Sequence, residues 1–284
     1  MAFMTKAYVD TAHGQVHYRY ALPTKDASRD KTVLLLHKSA SSSASYEAIA
    51  RQLVAAGYSC YAPDMPGFGN SFDPDEDVIE LISQQGTRFY VDLFLKAFRS
   101  LGVVDPPETV SPLPVHIIGH HSGACLAMEM AAVYPKLVAS ITLIGPAVMT
   151  AAERAEMKKN YFTMFNQPVA DGSHLQRTWD YLRHMGVGED LQLFQREAID
   201  HIRAWRGRNL IYGAVWNQEM ETLFAQVQCP ILLVCAPDDV LFDHYKQASL
   251  ARPDAATFEC SGANFSPDLD STRIATTWLN FVKQ

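Results

Sequence analysis

The chain has 284 residues, 48% of them apolar and 19% charged, enough for a sizeable buried core and unlike a disordered tail, a collagen-like fibre or a coiled coil. Its net charge of −7 leaves no basic surface to recruit nucleic-acid phosphates, and no nucleic-acid partner is expected. No apolar run reaches the roughly 18 residues of a membrane span, and Lys6 and Asp10 interrupt the opening stretch, so neither membrane association nor a signal peptide is expected.

Along the chain, AYVDTAHGQVHYRYAL alternates apolar and polar residues around Gly14, the pattern of an antiparallel hairpin. A polar loop (24–31) leads to a fully apolar strand, Thr32–His37. A helix follows over Tyr46–Ala56, then a strand over Tyr58–Ala62 and a turn-rich loop, Asp64–Ser71. Residues Val78–Leu101 read as one long helix, Pro114–Gly119 as a buried strand, Ala124–Tyr134 as a helix and Val138–Ile144 as a strand. Between 151 and 225 strand patterns cease, and helix-like segments rich in charge, Trp and Tyr take over. The βα rhythm resumes with Ile231–Cys235, a helix near Asp243–Leu250, a strand at Thr257–Cys260 and a closing helix from Asp270 to Val282. Strands alternating with helices predict an α/β fold: a mostly parallel, doubly wound sheet with helices on both faces. The helical interlude predicts a lid over the carboxyl ends of the strands, giving a core of 1–147 and 228–284 and an insertion of 148–227. The five cysteines (Cys60, Cys125, Cys229, Cys235, Cys260) are odd in number and sit in apolar contexts, as reduced thiols of a cytoplasmic protein would.

The most informative segment is HIIGHHSGACLAMEMAAVYP (His116–Pro135). A strand enters a tight turn and leaves as a helix, with Gly119 and Gly123 two residues to either side of His121. This is the pattern of a nucleophile elbow, whose bend is too sharp for a Cβ at either glycine. The Ser122 N–H after the apex is placed to form half of an oxyanion hole, with the Ser39 N–H as the other half, and the Ser122 hydroxyl is expected to face the same cavity. Shifting the register by one puts Ser122 at the apex between His120 and Ala124. The turn tolerates a bulky residue there poorly, and adjacent elbow side chains diverge, which leaves such a serine without a base.

These residues make the chain resemble the α/β-hydrolase superfamily over nearly its whole length. The likeness takes in the strand ending at His37, the DMPGFGNS loop (Asp64–Ser71), the elbow, the AMEMAAVYP helix, the CPILLVCAPDD strand (Cys229–Asp239) and the closing helix. It implies the α/β-hydrolase fold with an inserted lid, and no cofactor. Asp239 matches the superfamily's catalytic acid, with Asp238 one register step away. Three positions depart from the pattern. His121 stands where relatives carry Ser, Asp or Cys. Asn264, in Ser261-Gly262-Ala263-Asn264-Phe265, stands where they carry the catalytic His, and no His follows His244. Their His-Gly oxyanion loop appears as His37-Lys38-Ser39-Ala40. By the resemblance the apex points toward Asn264 and, behind it, Asp239. An imidazole held by either would have a fixed tautomer and act as general base or acid.

The expected function is therefore a cofactor-free enzyme in which His121, Asp239, Asn264 and Ser122 act on a small-to-medium apolar carbonyl compound. The reaction is ester or lactone hydrolysis, or carbon–carbon cleavage or isomerisation. The alternatives are a serine hydrolase using Ser122 and a catalytically silent, receptor-like member. Candidate substrate contacts are His37, Lys38, Trp179, His184, Trp205, Tyr212 and Trp216. Of these, His37 has an ordinary structural reading at the strand end, and the favoured reading of Lys38 is a side chain reaching solvent. His116, His120 and His121 invite a metal, but they lack a third ligand at suitable spacing and His120 and His121 should point apart, so none is expected. His120 is expected to pack under the turn. A monomer or a homodimer fits equally.

Overall fold

The computed structural model describes residues 4–24, 31–104, 114–164 and 166–283. Of the polar loop expected at 24–31, residues 25–30 lie outside the described residues. Strands β1 (Thr5–Thr11) and β2 (Gly14–Ala21) pair antiparallel, with Val9 opposite Val16. β2 then joins β4 (Ser59–Pro63), again antiparallel. The remaining neighbours are parallel: β4 with β3 (Thr32–Leu36), β3 with β5 (Val115–His120), β5 with β6 (Val138–Ile144), β6 with β7 (Ile231–Cys235) and β7 with β8 (Ala256–Glu259). The eight-stranded order is β1-β2-β4-β3-β5-β6-β7-β8.

Period-2 alternation sorts the strand side chains into two apolar layers. Leu34, Leu36, Ile117 and Leu233 face one layer, which also holds Phe94, Phe98, Leu126 and Met130. Val33, Leu35, Ile118 and Val234 face the other, with Ile49, Leu53, Ile274 and Trp278. The first layer is closed by α3 (Thr87–Ser100) and α4 (Ser122–Val133), and the second by α1 (Glu47–Ala55) and α12 (Ser271–Phe281). Both faces of β3 are covered, which is why the four residues after Thr32 form an unbroken apolar run. Each fully buried Leu or Ile contributes about 1.5–3 kcal/mol.

The single helix expected over Val78–Leu101 is two: α2 (Glu76–Gln85), capped by the Asp75 carboxylate on the Val78 N–H, and α3. Gly86 separates them at φ 60°, a conformation that favours glycine, and so breaks the helical path. Five helices lie between β6 and β7: α5 (Ala151–Tyr161), α6 (Ser173–His184), α7 (Leu191–Arg203), α8 (Gly207–Trp216) and α9 (Met220–Gln226). After β7 come α10 (Phe242–Ala251) and, past β8, the short α11 (Ser266–Leu269). All five cysteines are unpaired. No helix among the described residues is long and apolar enough to cross a membrane.

Candidate active site

His121 occupies the turn between β5 and α4 with φ 47° and ψ −110°. Among the described residues, only His121 and Ala263 among the non-glycines hold such positive φ, a conformation worth about 1–3 kcal/mol of strain. The turn is held by the His121 N–H donating to the Ile144 carbonyl at 2.9 Å, and by the Ala124 and Cys125 N–H groups donating to the His121 carbonyl. A Cβ at Gly119 would overlap the Gly123 carbonyl, and one at Gly123 would overlap that of Leu36. The bend therefore closes only around this pair of glycines.

From the apex the imidazole reaches directly to Asp239, with Nε2 lying 2.9 Å and 3.1 Å from the two carboxylate oxygens. The Asp239 side chain is 1% exposed and the His121 side chain 15%. Asp239 is itself oriented by the Leu241 N–H, which donates to Oδ1 at 2.8 Å. Gly145, at φ 58°, opens the space for this pair, because a Cβ there would run into the imidazole. A carboxylate can only accept, so this contact takes its proton from Nε2, while Nδ1 has no partner among the described residues. Of the two adjacent acids, Asp239 is the one on the imidazole; Asp238 accepts from the Ala263 N–H at 3.2 Å. Asn264 does not lie between His121 and Asp239 as expected. Its amide donates to the Met185 carbonyl at 2.9 Å, and its own oxygen is buried without a hydrogen-bond partner among the described residues. The elbow imidazole is long enough to span to the acid alone, which leaves the Asn264 position free to tie down the segment after α6.

The oxyanion region also departs from expectation. The Ser122 hydroxyl lines the cavity, but its oxygen already accepts from the Ser39 N–H at 2.7 Å. The backbone donor assigned to an incoming oxyanion is thus satisfied from within the chain. No ring nitrogen is a hydrogen-bond partner of Ser122 Oγ among the described residues, so this serine lacks the base a nucleophile needs.

Lys38 does not reach solvent. Its side chain is 6% exposed, and Nζ donates to Glu197 Oε2 at 3.0 Å while lying 4.5 Å from the centre of the Phe265 ring. Glu197, on α7, is fully buried and also accepts from Ser41 Oγ at 2.8 Å and Arg196 at 2.7 Å. These cations hold its carboxyl well below the usual range despite burial. Arg196 in turn makes a two-pronged bond to Asp268 at 2.8 and 2.7 Å. Next to this cluster Ser42 Oγ donates to Asp200 at 2.7 Å, and burial beside Glu197 pushes the Asp200 carboxyl up to about 7.

Above the elbow lies a cavity of about 250 Å³. Lys38, Ser39, His121, Ser122 and Asn264 border it from one side, and Tyr181, His184, Met185, His201, Arg208, Tyr212 and Trp216, all between β6 and β7, from the other. Three expected substrate contacts lie elsewhere. His37 is buried behind the loop, with Nδ1 at the Lys38 carbonyl (2.8 Å) and Nε2 accepting from the Met65 N–H (3.0 Å). Trp179 stacks on Phe194 at 3.9 Å, and Trp205 lies under the Arg206 guanidinium at 4.7 Å. Glu197, His201 and Arg208 escaped sequence reasoning. The first two share the α7 face of Leu193, Phe194 and Ala198, so a charge inside an apolar helical stripe was the available signal.

His120 is 1% exposed, and neither ring nitrogen has a hydrogen-bond partner among the described residues. Burial holds it neutral, far below the usual histidine range. Its ring does not point away from that of His121: the two centres are 4.5 Å apart in an edge-to-face arrangement. Asp239 adds the neighbouring third group that local sequence spacing could not reveal.

A mostly parallel sheet with this strand order, an elbow after β5 and an acid after β7 define an α/β-hydrolase fold. A profile of that fold matches residues 31–178, and the chain belongs to this family of enzymes. A 2-hydroxy-6-oxo-6-phenylhexa-2,4-dienoate hydrolase from Burkholderia cepacia is 25% identical over 136 residues, a match spanning 47% of this chain and 42% of that protein, less than half its length. Among solved structures, a hydrolase from Pseudomonas aeruginosa PA01 superposes with a TM-score of 0.76 at 14% identity, covering 99% of both chains. The enol-lactonase from Burkholderia xenovorans LB400 gives 0.71 at 13% identity, covering 98% of this chain and all of that one. Likenesses this distant in sequence establish the fold.

Proposed function

We propose that the chain is a hydrolase that uses the His121–Asp239 pair as a general base on a small-to-medium apolar compound carrying a carbonyl. The observation that carries this reading is an imidazole on the cavity floor with Nε2 held by a buried carboxylate and Nδ1 unspent. Asp239 selects the tautomer and stabilises the imidazolium formed when Nδ1 takes a proton. The proton comes from a water that attacks an ester or lactone carbonyl, and His121 returns it to the leaving oxygen. Developing negative charge meets the first amide of α4, Ser122 N–H, and the Ser122 hydroxyl, whose oxygen is already polarised by the Ser39 N–H. With a carbonyl compound bearing an acidic C–H, the same base would take that proton and open carbon–carbon cleavage or isomerisation. The names of the dienoate hydrolase and the enol-lactonase support carbonyl chemistry of this kind.

A second reading, a ligand-binding protein without turnover, draws on one feature: the Ser39 amide is occupied by Ser122 in the unliganded chain. One comparison separates the two. His121→Ala should lower turnover of an aryl ester or lactone panel by about 10²–10⁴-fold with ligand affinity within a few-fold of the parent. Unchanged turnover in that variant, or labelling of Ser122 by a fluorophosphonate, overturns the reading in favour of another nucleophile.

A further inference from the structure

The two adjacent histidines and the acid opposite them make a constellation that general-base chemistry does not use up. One ligand atom each from His120, His121 and Asp239 can be chosen so that all three lie within 4.8 Å of one another. For ligands about 2.1 Å from a tetrahedral ion the separation is about 3.4 Å, so side-chain rotations of about 1.4 Å or less close the set. The independent observation is His120 itself. It is 1% exposed, its two nitrogens have no hydrogen-bond partner among the described residues, and a buried polar group left that way costs about 1–3 kcal/mol. A metal ion beside His121 and Asp239 would take the lone pair of one of the two His120 nitrogens.

We infer that His120, His121 and Asp239 form a binding site for a divalent transition-metal ion of the zinc, cobalt or nickel type beneath the cavity. Two imidazoles and one carboxylate suit borderline metals and not calcium or magnesium, which take sets of oxygen ligands. Three protein ligands leave a position for water or a small anion. Binding needs no redox partner. The ion accepts the Nε2 lone pair, a carboxylate oxygen and one His120 nitrogen, and the His121 ring proton moves from Nε2 to Nδ1. That shift converts Nδ1 from acceptor to donor, so the loaded protein loses the base that the metal-free protein presents. The inference stands on geometry and not on the proposed reaction.

Its test is a titration of the chelator-dialysed full-length chain with Co²⁺ alone, followed by visible ligand-field absorption and thermal melting. The expected result is saturation at one ion per chain, displacement by Zn²⁺, and a weakening of about tenfold or more in both His120→Gln and Asp239→Asn. Asp239→Asn, nearly isosteric, keeps the test decisive if His120→Gln does not fold. Absence of saturable absorption up to about 1 mM Co²⁺, or an Asp239→Asn chain that binds as tightly as the parent, overturns it. Because the readout is spectroscopic, failure here leaves the turnover test of His121 untouched, and the reverse also holds.

Discussion

At the scale of single residues, the site depends on an imidazole reaching farther than a hydroxyl can. The elbow normally presents a short side chain that needs a separate histidine to connect it to the acid; here the connection is direct, from His121 Nε2 to Asp239 at 2.9 Å. Room for the ring comes from Gly145, whose missing side chain is filled by Cδ2 and Nε2 of His121. Gly145→Ala should therefore push the ring off Asp239 and lower turnover by about tenfold or more, while the φ of 58° adds about 1 kcal/mol of backbone cost. Melting and turnover measured on the same preparation check this. Turnover unchanged beside a lowered melting temperature would show that the contact with Asp239 is not needed. The bracketing glycines and the acid after β7 were legible from the chain because tight turns and strand ends leave local signatures. The Ser122–Ser39 bond was not: which rotamer a hydroxyl adopts depends on a loop 83 positions away.

At the scale of elements, the loop after β3 and helix α7 are fastened by buried charge. Lys38, Ser41 and Arg196 converge on Glu197, which is fully buried, and Arg196 extends the link to Asp268 of α11. Glu197→Ala would strand the Lys38 ammonium in the interior, and loss of one partner of such a pair costs about 3–5 kcal/mol. Equilibrium denaturation should show that loss, and a change under 1 kcal/mol would mean that the fastening contributes little. Strand and helix order was read correctly because hydrophobic period changes from 2 to 3.6 along the chain. The exception, the single long helix expected over Val78–Leu101, failed at Gly86. An isolated glycine inside a helical pattern is compatible with continuation, and only the packing of α2 and α3 decides for the break. The aromatic residues between β6 and β7 were harder still. Tyr212 and Trp216 border the cavity while Trp179 and Trp205 pack on Phe194 and Arg206, a division set by tertiary contacts alone.

At the scale of the whole molecule, the contact between α7 and the loop after β3 carries a carboxyl with a displaced pKa. Asp200 of α7 accepts from Ser42 in the loop after β3; burial first, and then Glu197 and Asp64, raise its carboxyl while Ser42 and Arg196 lower it, to about 7 against an ordinary 3.8. The folded chain thus holds a proton between about pH 4 and 7 that the unfolded chain releases. Its contribution to stability is full below about pH 4 and falls as pH rises to about 7. Asp64 acts in the opposite sense: its carboxyl, bonded to His17, lies at about 2, and its contribution disappears as pH falls through the acid range. Asp200→Asn should flatten the decline in stability between about pH 4 and 7 relative to the parent. Identical pH profiles for the two chains would place the Asp200 carboxyl in its ordinary range.

The central claim, that His121 is a base oriented by Asp239, can be read directly from the ring nitrogens. In ¹⁵N NMR of the metal-free, ligand-free chain, the neutral His121 ring should carry its proton on Nε2, with Nδ1 at a pyridine-like shift. Asp239→Asn should redistribute that proton. A proton found on Nδ1 in the parent chain, or a tautomer indifferent to Asp239→Asn, would contradict the account.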